Sequence, residues 1–398
     1  MFLDVLTRRN PAFVEAVVAL HQAGHLPANA YALDLDAIRA NARVLRAAGE
    51  SHGLEVFAMA KQFGRNPAVL RVLREEGLYR TVAVDMDDAR AADRHGMDLG
   101  HVGHLVQVPR AEAQAAAGMA PDNWTVFSEE KAIEAADASR AVGREQALLA
   151  RIHADGDTFY PGHEGGFPAV DVLAVAERLD ALDGARFAGV TSFPALLFDR
   201  DRGEVRPTPN LTTLQKAAER LRDAGVHDVR LNAPGTTSSE VFGVLAEHGA
   251  TQVEPGHGLT GTTPLHAIRD LPELPGVLYV SEVSHHHGGR AYAFGGGMYV
   301  DPVFGDYQIR ALVGREPSLR ALRRHDAFLP PPAAIDYYGQ LDPAQGSLPA
   351  PGETVVFGFR VQAFVTRAFT AAIAGVAAGT PCVEGIWAAH GGEATWPR

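Results

Sequence analysis

The sequence predicts an α/β protein, a (β/α)8 TIM barrel followed by a smaller, mostly β C-terminal domain. Three observations carry this reading. From residue 30 to about residue 260, short β-rich runs alternate with longer helical patterns, the repeat of βα units covering a parallel sheet. Setting the first strand aside leaves eight such runs, the number that closes a barrel; an open doubly wound sheet is the competitor, and the length fits a barrel better. After about residue 275 the alternation stops and strand-like runs dominate.

In chain order, residues 1–28 hold an Arg8-Arg9 pair and an apolar run from 12 to 20 that Glu15 interrupts. The run is too short to span a membrane and no cleavage site follows, so it predicts an amphipathic helix packed on the C-terminal domain. The barrel domain is expected over 29–275. Its strands are placed at 30–33, 55–60, 81–84, 104–108, 124–127, 147–153, 187–191, 228–231 and 251–254, and helices at 36–48, 66–76, 129–141, 170–182, 212–224 and 239–248. The C-terminal domain is expected over 276–398, with strands at 277–284, 290–294, 297–301, 355–364 and 381–388, a break at Pro330-Pro331-Pro332 and an Ala-rich helix near 366–378.

Composition narrows the partners. The 398 residues suffice for more than one domain, and 36 basic against 48 acidic residues give a net charge of −12 without a basic block. That argues against nucleic acid and leaves a small molecule as the expected partner. A lone cysteine, Cys382, excludes an internal disulfide framework, and a cytoplasmic setting is the expectation. Cys382 itself reads as a small buried hydrophobe.

Chemistry in a barrel sits at the C-terminal ends of the strands. Reading those ends gives Lys61, Asp85, Ser128, His153 with Asp155, Ser192, Asn232 and Glu254. Turn chemistry places polar residues at such positions too. Lys61 ends the run Phe57-Ala58-Met59-Ala60, where desolvation favours the nucleophilic amine that a Schiff base with pyridoxal phosphate requires. A lysine snorkelling from a strand end gives the same local pattern. The loop after the seventh barrel strand, Asn232 to Glu240, carries Thr236, Thr237 and Ser238 at a helix start and suits a phosphate, with an ordinary N-cap as the equal alternative. After the eighth strand come Glu254, Pro255, Gly256, His257 and Gly258, whose glycines let backbone amides approach an anion. A phosphate site from the last two loops recurs in this fold. Gly256, Gly258 and Gly261 also spell G-x-G-x-x-G, but the motif closes the βα region and Thr262-Thr263-Pro264 starts a long helix poorly, so a dinucleotide site is rejected.

A strand-end lysine and a phosphate loop together resemble the alanine-racemase-type, fold type III pyridoxal-phosphate enzymes, which include ornithine racemase, D-threonine aldolase and D-serine dehydratase. Tyr31 to Ile38 is similar to the family's opening strand. The strings Lys61 to Pro67, Glu254 to Gly258 and Ser281 to His286 resemble the YhfX-like branch. The resemblance implies a barrel, a C-terminal β domain, pyridoxal 5'-phosphate held through Lys61, and a homodimer with its active sites at the subunit interface.

Three departures stand out. Glu254 replaces the arginine that faces the pyridine nitrogen in alanine racemase, and a carboxylate there makes the ring a stronger electron sink. Arg151 stands at the position of the family's lysine beside the ring oxygen, with Pro161 to Gly166 where an arginine turn is found. The partner-subunit tyrosine has no clear match: Tyr292 is nearest in position, while His285, His286 and His287 are chemically able. The expected function is therefore an amino-acid racemase (isomerase) in which Lys61 is one base and His285, His286 or Tyr292 supplies the other. Cofactor contacts are expected from Lys61, Arg151, Ser192, Asn232, Thr236, Thr237, Ser238, Glu254, Gly256, His257 and Gly258. A lyase or dehydratase on a D-β-hydroxy amino acid and a non-catalytic pyridoxal-phosphate carrier are the alternatives; a cofactor-free hydrolase using His153 and Asp155 explains neither Lys61 nor the loops. No metal is expected, because adjacent histidines on a strand cannot share one ion and no zinc spacing joins them to Cys382 or His390.

Overall fold

The structure, a computed structural model, describes every residue except Asp306, Pro332, Thr395, Pro397 and Arg398. The last residue of the expected proline break, Pro332, therefore lies outside the described residues. The chain forms two compact units, one of Arg43–Ala60 and Leu73–Gly256, the other of Met1–Ala42, Lys61–Val72 and His257–Arg398.

The first unit is a closed parallel barrel. Its strands are Glu55–Val56 with Ala58–Met59, then Arg80–Val82, Asp98–Val102, Asn123–Val126, Gln146–His153, Ala185–Thr191, Arg230–Asn232 and Gln252–Val253. Closure falls on the opening strand: residues 55–56 pair with Gln252–Val253, and 58–59 pair with Arg80–Val82. Phe57 bridges the two halves, its N–H donating to Val253 O at 2.9 Å. One barrel strand departs from expectation. The run 104–108 is apolar enough to read as a strand, yet the strand is Asp98–Val102 and the chain turns away at Gly103, which has a φ of 78°. Asp98, Gly100 and His101 disguise the true strand. Gly100 is required there because a Cβ would lie 2.5 Å from Cδ1 of the Phe57 ring.

The second unit is built on a nine-stranded sheet. Six strands form a closed ring, because Val277–His287 pairs antiparallel with both Arg290–Phe294 and Thr354–Phe357, and Tyr338–Leu341, Arg323–Phe328 and Ile309–Gly314 complete the circuit. The strand Asn29–Asp34 adds to Val277–His287, followed by Phe369–Ala374 and Cys382–Ala388. The segment 366–378, Ala-rich and expected helical, thus holds the strand Phe369–Ala374 and no helix. Ala371, Ala372 and Ile373 are fully buried between two neighbours, and small side chains on both faces allow the close layers that helix propensity alone does not foresee. The expected strand at 297–301 is only an isolated bridge, Val300 to Val361, and Cys382 is exposed rather than buried.

The first residues form two helices, Phe2–Arg9 and Pro11–Gln22. Leu3, Leu6, Phe13, Val14 and Val17 share a core with Leu278, Val280, Leu312 and Val356. His21, 6% exposed, bonds through Nδ1 to Thr354 Oγ1 at 2.8 Å, and burial lowers its pKa to about 4. The unfolded chain takes up that proton near pH 6.5 while the folded chain does not until about pH 4. Stability conferred by the neutral ring is therefore whole above pH 6.5 and is lost as pH falls toward 4, by about 3 kcal/mol in all. Urea unfolding across this range should show the slope, and His21→Gln should flatten it.

Candidate active site

In the barrel unit the strand ends bring five polar side chains into one hydrogen-bonded line. Glu254 follows Gln252–Val253; Asn232 and Thr191 close the two preceding strands; His101 and Thr125 come from Asp98–Val102 and Asn123–Val126. All five are 2% exposed or less. Glu254 Oε1 accepts from His101 Nδ1 at 2.5 Å and from Asn232 Nδ2 at 2.9 Å. His101 Nε2 meets Thr125 Oγ1 at 2.6 Å, and Thr191 Oγ1 donates to Asn232 Oδ1 at 2.7 Å. His104 Nε2 lies 3.3 Å from the second oxygen, Oε2. Burial alone would raise the Glu254 pKa; the charges of His104 and His101, with the bonds from His101 and Asn232, overcome it and hold the carboxyl at about 2. The sequence reading named Glu254 and Asn232 but missed His101 and His104. Their i, i+3 spacing within a Gly-rich apolar run was the available signal.

Arg151, on Gln146–His153, is 1% exposed. Its guanidinium stacks over Phe127 at 4.8 Å and Phe159 at 5.7 Å from the ring centroids. Nη2 donates to His163 O at 2.7 Å and Phe193 O at 3.4 Å, while Nε has no hydrogen-bond partner among the described residues. No carboxylate pairs with it among the described residues, and burial lowers its pKa to about 10, leaving it charged at neutral pH. Gly166 packs on its backbone, where a Cβ would lie 2.4 Å from Arg151 O. A buried cation held by rings and carbonyls is poised for an anion.

Ser192 is fully buried and accepts from Asn210 Nδ2 at 3.1 Å. In the loop after the seventh strand, Gly235 rests on the backbone of Leu196, where a Cβ would lie 2.7 Å from its nitrogen. Thr236 N donates to Leu196 O at 3.2 Å and Thr237 Oγ1 to Gly235 O at 3.1 Å; Ser238 is buried. The loop thus has a fixed backbone carrying three hydroxyls. Asp85 and Ser128 serve as helix N-caps, accepting from Asp88 N and Lys131 N. Glu254 and Gly256 lie in this unit too, as do His153, the last residue of Gln146–His153, and Asp155 just after it.

The second unit holds Lys61, His257 and Gly258. Lys61 opens the turn Lys61–Phe63, and its Nζ lies 5.3 Å from the Phe364 ring centroid, with Arg65 over the same ring at 5.8 Å. Arg65 has a φ of 54°, a conformation that a non-glycine residue adopts only where its surroundings hold it. His257 is locked as the neutral Nε2–H tautomer: Nε2 donates to Val361 O at 2.9 Å, and Nδ1 accepts from Arg360 Nη2 at 3.1 Å. Burial and then the Arg360 charge push its pKa well below the ordinary value. Arg360 also pairs with Asp301. In the same unit His285 stacks on Tyr292 at 4.7 Å between centroids, edge-on to Tyr338, while His286 Nε2 donates to Pro349 O at 2.7 Å. The three histidines 285–287 are exposed.

Comparisons with known proteins agree with this architecture. The family model described as "Alanine racemase, N-terminal domain" matches residues 33–264, and that described as "YhfX-like, C-terminal domain" matches 278–383. The uncharacterized protein YhfX of Escherichia coli (strain K12) is 37% identical over 385 residues, 97% of each chain. Among solved structures, D-threonine aldolase from Filomicrobium marinum aligns with a TM-score of 0.70 and 18% identity, covering 92% of this chain and 95% of its own. Alanine racemase of Clostridium difficile 630 gives 0.63 and 14% over 91% and 98%, and D-threo-3-hydroxyaspartate dehydratase from Delftia sp. HT23 gives 0.64 and 18% over 90% and 97%. At these identities the likeness is one of fold. No helix among the described residues is long and apolar enough to cross a membrane.

Proposed function

The chain belongs to the family that joins an alanine racemase N-terminal domain to a YhfX-like C-terminal domain, and on that premise we propose that it is an amino-acid racemase dependent on pyridoxal phosphate. Pyridoxal phosphate is the cofactor of this fold family. When bound, it supplies an aldehyde for a lysine and a ring that takes up negative charge from Cα. One observation carries the reading: a single barrel holds, at its strand ends, a buried carboxylate backed by two imidazoles and a buried guanidinium that has no counter-ion among the described residues. A pyridine ring with a protonated nitrogen and an anionic ring oxygen needs one of each.

The residues then take distinct roles. Lys61 Nζ is the amine that would hold the cofactor, and as a free amine it would take the Cα proton of a bound amino acid on one face. Glu254 would keep a proton on the ring nitrogen, and Arg151 would neutralise the ring oxygen. Asn232 orients Glu254, while Ser192, Thr236, Thr237 and Ser238, with the backbone at Gly256, His257 and Gly258, bind the phosphate and frame the site. His285, His286 or Tyr292 delivers the proton on the second face from the partner subunit of a homodimer; the exposure of His285 and its stacking on Tyr292 support this.

Exchange of the Cα hydrogen in heavy water, followed by NMR and chiral chromatography over a panel of L- and D-amino acids, tests this. At least one pair should exchange and interconvert. His285→Ala, His286→Ala or Tyr292→Phe should lower interconversion by at least about a hundredfold while exchange from one enantiomer survives. Full racemisation in all three variants would remove the second-face assignment. A carbonyl product without interconversion would make the enzyme a lyase.

A further inference from the structure

Glu254 is itself held by side chains of the barrel wall, His101 and Asn232. A carboxylate that is to face a ring nitrogen from a buried position must stay ionised there and present one oxygen in a fixed direction. Full burial works against both, since a desolvated carboxyl prefers its proton and a two-carbon side chain turns about its torsions. His101 answers both demands. Its Nδ1 lies 2.5 Å from Oε1, and the same oxygen takes Asn232 Nδ2 at 2.9 Å, so Oε1 is saturated from within the barrel wall. The ring of His101 is itself fixed at its other nitrogen by Thr125 Oγ1, 2.6 Å away. A hydroxyl serves as donor or acceptor, so this contact holds in either charge state of the imidazole. That leaves Oε2, which accepts no hydrogen bond among the described residues and has His104 Nε2 at 3.3 Å. His104 is held in turn, 5.2 Å from the His101 ring centroid and edge-on to Phe193 at 5.7 Å.

We propose that His101 is the positioning residue of the cofactor site, locking Glu254 through Oε1 as an oriented anion so that Oε2 is presented to the ring nitrogen. This rests on the cofactor reading above and adds to it the residue on which the ring's electronic state depends. The same three side chains, His101, His104 and Glu254, have ligand atoms within 4.8 Å of one another and so form a possible metal cluster. The hydrogen-bond lengths favour the positioning role, because Nδ1 and Oε1 are in direct contact with no room for an ion between them.

The test compares affinities, not turnover. Cofactor-free protein is titrated by equilibrium dialysis with pyridoxal phosphate and with its 1-deaza analogue, in which C–H replaces the ring nitrogen. The wild type should prefer pyridoxal phosphate at least about tenfold, the worth of a charge-assisted hydrogen bond. His101→Leu should shrink the preference to within about twofold, as Glu254→Gln does. His101→Asn, whose amide nitrogen stands in for Nδ1, should restore most of it, which a merely space-filling role would not require. A wild-type preference kept in a folded His101→Leu protein overturns the proposal. Stoichiometric zinc in the purified wild type, lost in His101→Leu, also overturns it and makes the cluster a metal site. If the wild type captures neither compound, the cofactor reading itself falls and the inference with it.

Discussion

Replacing Lys61 by alanine is expected to remove the visible absorption band of bound pyridoxal phosphate and to lower Cα hydrogen exchange by at least about a thousandfold. The chain has only three lysines, so substitutes are few. Lys131 is committed to Val108 O at 2.9 Å and Glu134 at 2.7 Å, and Lys216 is exposed on the helix Pro209–Asp223. The effect should be chemical, not structural: Lys61 is partly exposed and packs through the Phe364 ring, which an alanine leaves to Arg65. Circular dichroism and thermal melting of the cofactor-free variant should therefore match the wild type. A small primary amine added to the medium should recover a fraction of the exchange, because it replaces the missing base.

Arg151→Met should produce opposite effects on stability and binding. The wild-type guanidinium is buried between Phe127 and Phe159 with no counter-ion among the described residues, an arrangement that costs folding energy while the anion is absent. Methionine fills similar space without the charge. The cofactor-free variant should be as stable as the wild type or more so, by about 1–3 kcal/mol in urea unfolding. Its affinity for pyridoxal phosphate should fall at least about tenfold. A variant that loses both stability and affinity would show that Arg151 supports the barrel instead of the ligand. The two measurements together separate a site residue from a structural one.

The barrel was legible because its βα units carry strong local signals: apolar runs of strand length, helix-period stretches and glycine turns. Where one signal is diluted the reading slips, as at Asp98–Val102, whose Gly100 exists to admit Phe57 and so lowers the strand's own propensity. The C-terminal sheet was harder to read. Its Ala-rich strand Phe369–Ala374 lies between Cys382–Ala388, just downstream, and Asn29–Asp34, near the start of the chain, and this second neighbour is in no local window. The candidate site divides in the same way. Lys61 and Glu254 follow apolar strands directly and sit in recognisable strings. His101 gains its meaning from a carboxylate 153 residues away, and a single histidine inside a strand otherwise reads as packing.

Reduction of the cofactor-loaded protein with borohydride, followed by peptide mapping, tests the central claim most directly. The account predicts one phosphopyridoxyl group per chain, on the peptide containing Lys61, with Lys131 and Lys216 unmodified. Modification spread over the three lysines, or none after reduction, would contradict it.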